Sequence, residues 1–85
     1  MKKYTIKDKN QIIDEIMKNQ KMQEFLEFAF CESVFSNGGV VGFQKILKNQ
    51  NFFCDFELSK TLFKIANLIN KKRFEKAYKM QMQNL

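Results

Sequence analysis

"NLINKKRFEKAY", residues 67–78, decides how many helices this chain has. Just upstream, Leu58, Leu62, Ile65, Ala66 and Ile69 share one broad apolar helix face, and Asp55 is placed to cap its start. Lys60, Lys64, Asn67 and Lys71 stack along a narrow polar edge of the same helix. At about 100° per residue, a straight continuation brings Lys72, Lys76 and Lys79 out on the side that Leu58, Ile65 and Ile69 use. The next apolar stripe, Phe74, Ala77 and Tyr78, then lies about a third to half a turn away. One straight helix cannot bury both faces against one core. Either the chain breaks near Asn70-Lys71 and a fifth short helix folds back, or the helix continues and its second half leaves the core, burying Phe74 and Tyr78 in a partner. The reading favours the break.

Three further stretches carry helical periodicity, and with no proline in the chain none is forced to stop by ring sterics. Over residues 9–20, Ile12, Ile13, Ile16 and Met17 fall on one face, and Asp8 with Gln11 reads as a capping box. Over residues 22–36, Met22, Phe25, Leu26 and Ala29 form one stripe and Phe28, Cys31 and Phe35 another. A helix apolar on nearly every side is expected to be the central, most buried one. Its charges are Glu24, Glu27 and Glu32, and no lysine occurs between Met22 and Gln44. Over residues 40–49, Val40, Phe43, Ile46 and Leu47 share a side, with Lys45 and Lys48 opposite.

All three glycines sit in "SNGGVVGF", residues 36–43. Neither the Walker spacing nor the dinucleotide fingerprint is present. As the turn of a DNA-reading helix pair the stretch fits poorly: Val34 and Phe35 stand where a small residue is needed before Gly38 or Gly39. The spacing predicts a corner, with Asn37-Gly38 ending the second helix in a left-handed conformation and Gly39 turning the chain into the third. A short hairpin of residues 33–36 with 40–43 is the lesser alternative.

Composition narrows the function. The chain has 85 residues, a net charge of +6, two cysteines and no histidine. The missing histidine removes the commonest general base and the Ser–His and Cys–His pairings, and leaves Cys31 and Cys54 without further metal ligands. Both cysteines read as buried free thiols. No acids pair at a recognisable cleft, so no enzyme, cofactor or metal is expected. No run approaches the roughly 20 apolar residues of a membrane span, and "MKKYTIKDKN" lacks the apolar core of an export signal, so a cytoplasmic location is expected. Fourteen of the fifteen basic residues are lysine, beside abundant Asn, Ile and Phe, the usage that AT-rich codons produce. Where the charge lies therefore matters more than its total.

The expected fold is all-α: a small compact bundle of four to five short helices, the second central, in one domain over 1–85 with 1–7 and 80–85 frayed. From residue 56 onward seven basic residues oppose two acidic ones, a local net of +5 (7 − 2). The plainest use of the acidic second helix is internal, with Glu24, Glu27 and Glu32 near the lysines of the fourth. The candidate partner-binding residues are Phe74, Tyr78, Lys71, Lys72, Arg73, Lys76 and Lys79. The extra apolar face and the Met80/Met82 tail exceed what one small core consumes, which is the composition of an interaction patch. A non-catalytic regulator or inhibitor that binds a protein is expected, by association an immunity- or antitoxin-like factor of a bacterial or phage mobile element. A second copy of the chain is included among the partners that would fit. The alternative is a nucleic-acid-binding accessory protein whose lysines at 71–79 meet phosphates.

Overall fold

The computed structural model describes residues 3–36 and 38–83. The chain runs β1 (Lys3–Tyr4), a 3-10 turn (Ile6–Asp8), α1 (Lys9–Lys18), α2 (Gln20–Phe35), α3 (Gly39–Asn49), β2 (Phe53–Cys54) and α4 (Phe56–Gln83). It is a small all-α bundle with four α-helices, and α2 packs against each of the other three. The break near Asn70-Lys71 does not occur. α4 is one helix of 28 residues, about 42 Å long at 1.5 Å per residue, which accounts for most of the molecule's 50 Å long axis. The reason is local: from Asn70 to Gln83 the sequence has no glycine, proline or β-branched residue, so Asn70 is the one residue there suited to a cap and the rest favours continuing the helix. The expectation of short helices fails for this one alone.

Side-chain oxygens set the other boundaries. Asn19 leaves the helical conformation and accepts from the backbone N–H groups of Lys21 and Met22, so α2 begins one residue after α1 ends. The Gln23 side-chain amide donates to the last carbonyls of α1, at Ile16 and Met17. The expected capping box of Asp8 with Gln11 is absent, because the Asp8 carboxylate turns back to accept from the Thr5 N–H at 3.0 Å. Asp55 caps α4 as expected, accepting from the Leu58 N–H at 2.7 Å. It also accepts from the Ile6 N–H at 3.0 Å, and its own N–H donates to the Tyr4 carbonyl. Beside it Lys3 and Tyr4 pair in parallel with Phe53 and Cys54. The segment expected to fray is thus tied down from Lys3 onward. At the other end residues 80–83 continue α4, and residues 1, 2, 84 and 85 lie outside the described residues.

Ile12 and Ile16 of α1, Leu26 and Ala29 of α2, Phe43 and Leu47 of α3, Cys54, and Leu58, Leu62 and Ala66 of α4 form the core. Ring contacts bind Phe63 to Phe30 and Phe43 at centroid separations of 4.9 and 5.4 Å. α2 is central but not enclosed: Phe28 is 59% exposed and Phe35 86% exposed. Its second apolar stripe faces out, because Leu26, Ala29 and Ser33 occupy the side toward the core.

The glycine stretch is a corner, with helix on both sides rather than a hairpin. Asn37 lies outside the described residues. Gly38 keeps a right-handed backbone and donates its N–H to the Ser33 carbonyl, while the left-handed residue is Gly39, at φ 55°. Gly38 is small for a different reason. A Cβ there would stand 2.8 Å from the Gly42 Cα, whereas one on Gly42 would meet the Ser33 Cβ at 3.6 Å. Gly38→Ala is therefore expected to destabilise the protein by about 1–3 kcal/mol, and Gly42→Ala to be neutral or to gain up to about 1 kcal/mol of helix propensity. Urea unfolding of the two variants checks this contrast.

Candidate functional site

Every residue from Lys71 to Gln83 is exposed, so all seven candidate partner-binding residues are reachable from solvent. They do not form one site. Phe74 and Tyr78 sit one turn apart with Lys71 on one face of α4, Glu75 and Lys79 flanking them on one side. The centre of the Lys72, Lys76 and Lys79 cluster lies roughly 150° around the helix. Phe74 is 73% and Tyr78 57% exposed, a large apolar area left open by the described residues.

Arg73 has a different role from its neighbours. Its guanidinium meets the Glu27 carboxylate at 3.1 Å, and the Glu27 side chain is only 13% exposed. It is the last residue of α4 to form an ion pair with another element among the described residues, and it holds the helix against α2. With the Phe30–Phe63 contact it also fixes direction, since a later residue of α2 meets an earlier residue of α4. The two helices run antiparallel. The expected pairing of the acidic helix with the lysines of the fourth is met only here, and by the arginine. Among the described residues, Glu24, Glu32, Lys71, Lys72, Lys76 and Lys79 form no ion pair within the chain.

On the lysine side, α4 and the α1–α2 junction enclose a groove of about 560 Å³. Met17, Ile65, Leu68 and Ile69 supply its apolar floor, and Lys72 and Lys76 line its mouth beside Gln20 and Gln23. Periodicity correctly places these lysines on the side of Ile65 and Ile69, but Met17 and Leu68 were not legible as lining residues, since they are brought there by the packing of two helices. The outer face of α2 (Glu24, Phe28, Cys31, Glu32, Phe35) holds the second apolar stripe, which is exposed at Phe28 and Phe35 where burial is expected. Its signal was present in the sequence as the 3–4 spacing opposite Leu26, Ala29 and Ser33.

Among the described residues no group of three or more Cys, Asp or Glu side chains gathers around a point. Both cysteines are free thiols. Burial, aided by the Asp55 charge, pushes the Cys54 thiol up to about 12, so it is protonated and unreactive at neutral pH. Cys31 is half-buried on α2. No helix among the described residues is long and apolar enough to cross a membrane.

Arg73→Ala leaves the Glu27 carboxylate buried without its partner and should cost about 1–3 kcal/mol, whereas Lys71→Ala should stay within about 0.5 kcal/mol; thermal or urea unfolding separates them. Native protein at pH 8 should react with a thiol reagent at Cys31, and at Cys54 only after denaturation. The stability linked to Cys54 is fully present below pH 9, its unfolded value, and is lost as pH rises through about 12, because only the unfolded thiol ionises in that window. Alkaline unfolding of wild type against Cys54→Ala measures it.

The chain matches no protein-family model, no curated protein and no solved structure.

Proposed function

We propose that this is a non-catalytic helical binding protein, a small regulator or inhibitor of the immunity or antitoxin kind, that docks the second half of α4 on a protein partner. The observation that carries this reading is the position of Phe74 and Tyr78, exposed on a helix that continues past the core. Burying a large apolar side chain gains about 1.5–3 kcal/mol, so a partner groove that takes both rings supplies a binding centre. A preformed helix pays little ordering entropy on docking, which is the logic of helix-in-groove recognition. Lys71, Lys72, Lys76 and Lys79 around that centre suit an acidic partner surface and would speed association more than they hold the complex.

The nucleic-acid reading draws on the same four lysines, which have no ion pair in the chain. Two observations weigh against it. The sole arginine, the side chain best suited to read guanine, is engaged with Glu27. The aromatic pair also lies on a different face from Lys72 and Lys76, so bases could not stack on Phe74 and Tyr78 while those two lysines follow the same backbone.

The deciding experiment is capture of partners from a nuclease-treated lysate of the producing cell, paired with anisotropy on duplex DNA and single-stranded RNA at about 50 and about 200 mM salt. The expected result is a nuclease-resistant protein partner lost in Phe74→Ala/Tyr78→Ala and retained, with slower association, in Lys72→Ala/Lys76→Ala/Lys79→Ala. Salt-resistant nucleic-acid binding that depends on the lysine set would overturn it.

A further inference from the structure

The molecule has two unpartnered aromatic faces of opposite charge. On α2, Phe28 and Phe35 stand 59% and 86% exposed between Glu24 and Glu32. On α4, Phe74 and Tyr78 stand 73% and 57% exposed between Lys71 and Lys79, with Glu75 beside them, so the face is net basic by one charge. Glu24 and Glu32 are separated by the same number of residues as Lys71 and Lys79, about 12 Å along a helix in each case. Within one copy these faces cannot meet, since α2 and α4 already pack side by side through Glu27 and Arg73 and both faces point away from that seam.

We infer that a second copy of this chain covers both faces, the exposed half of α4 from each copy lying along α2 of the other. The inference rests on the reading that the Phe74–Tyr78 face docks on protein, and it names the partner. Symmetry fits the fold. α4 runs beside Gln20, at the start of α2, with Lys76 and then continues to Gln83. A two-fold axis perpendicular to the helices sets each extension along α2 of the other copy. Because that axis reverses helix direction, and α2 and α4 are antiparallel within one copy, the two contacting helices are parallel. In a parallel register Glu24 meets Lys71 and Glu32 meets Lys79 of the second copy. Phe28 falls between Phe74 and Tyr78, and Phe35 faces Met82.

Like-with-like pairings oppose faces of the same net charge: +1 for Lys71, Glu75 and Lys79 on α4, and −1 for Lys21, Glu24 and Glu32 on α2. The lengths also agree, about 24 Å for the 16 residues of α2 and about 20 Å for residues 71–83. Eight such ring side chains in a dimer bring on the order of 1,000 Å² of exposed area. That is near the lower bound of about 1,200 Å² for a specific interface before the lysine and methionine stems are added.

Charge exchange tests the pairing. Sedimentation equilibrium of the full chain from about 1 to about 500 µM, the range of micromolar-to-millimolar association, should show a mass rising to twice 10.2 kDa. Glu24→Lys/Glu32→Lys and Lys71→Glu/Lys79→Glu should each be monomeric, folded by circular dichroism, and should form a one-to-one complex when mixed. Phe28→Ser/Phe35→Ser, on the face away from the core, should also be monomeric. A wild type that stays monomeric throughout, variants that still dimerise alone, or a mixture that does not associate would each overturn the inference. A monomeric wild type that captures another protein through Phe74 and Tyr78 overturns the self-pairing and leaves the binding reading standing. A dimer that captures nothing further supports the self-pairing and removes the need for any other partner.

Discussion

The backbone hydrogen-bond ladder of α4 is the constraint on which the rest of this structure depends. A helix interrupted at Asn70 would expose up to four carbonyls on one side of the break and four N–H groups on the other. The sequence there supplies no glycine or proline, and the Asn70 side chain could satisfy only one or two of those groups. Continuing costs less, even though the apolar stripe has rotated out of register with the core. The mismatch between helical period and apolar pattern is therefore resolved by exposure, and the helix leaves the core with Phe74 and Tyr78 uncovered.

A second consequence is how α4 is anchored. Its N-terminus is held by Asp55, whose two carboxylate oxygens accept from Leu58 on α4 and from Ile6 on the N-terminal segment. Its middle is held by core contacts through Leu58, Leu62 and Ala66, and by the pair of Arg73 with the nearly buried Glu27. Gly42 of α3 sits against Ser33 of α2, and Phe43 beside it reaches Phe63 on α4. The first half of α4 is thus a core element and the second half a presented one, joined without a hinge. A rigid extension of this kind can place side chains on a partner at little entropic cost.

Charge is distributed to match. The acidic residues of α2 and the lysines of the last turns of α4 are segregated by element, and only Glu27 finds an opposite charge across the seam. Surface ion pairs contribute on the order of 0–1 kcal/mol, so leaving Glu24 and Glu32 unpaired costs the folded chain little. It does leave two complementary faces, each with aromatic side chains at its centre.

Periodicity alone made the helix class, the four helical stretches, the Asp55 cap, the core positions of α1, α3 and the first half of α4, and the glycine corner legible, because each rests on residues within a few positions of one another. It also separated the apolar and basic faces of residues 67–78. Left to the tertiary structure were whether Asn70 breaks the helix, which side of α2 faces the core, which of the seven candidate residues is engaged internally, and that Met17 and Leu68 line one groove. Each of these depends on which surfaces remain after the helices have packed, and the pattern along one helix carries the same signal whether its partner is the chain's own core or another molecule. That ambiguity is why the pattern favours a break near Asn70-Lys71 and burial on nearly every side of α2, where the structure has a continuous α4 and an α2 that is central with one open face.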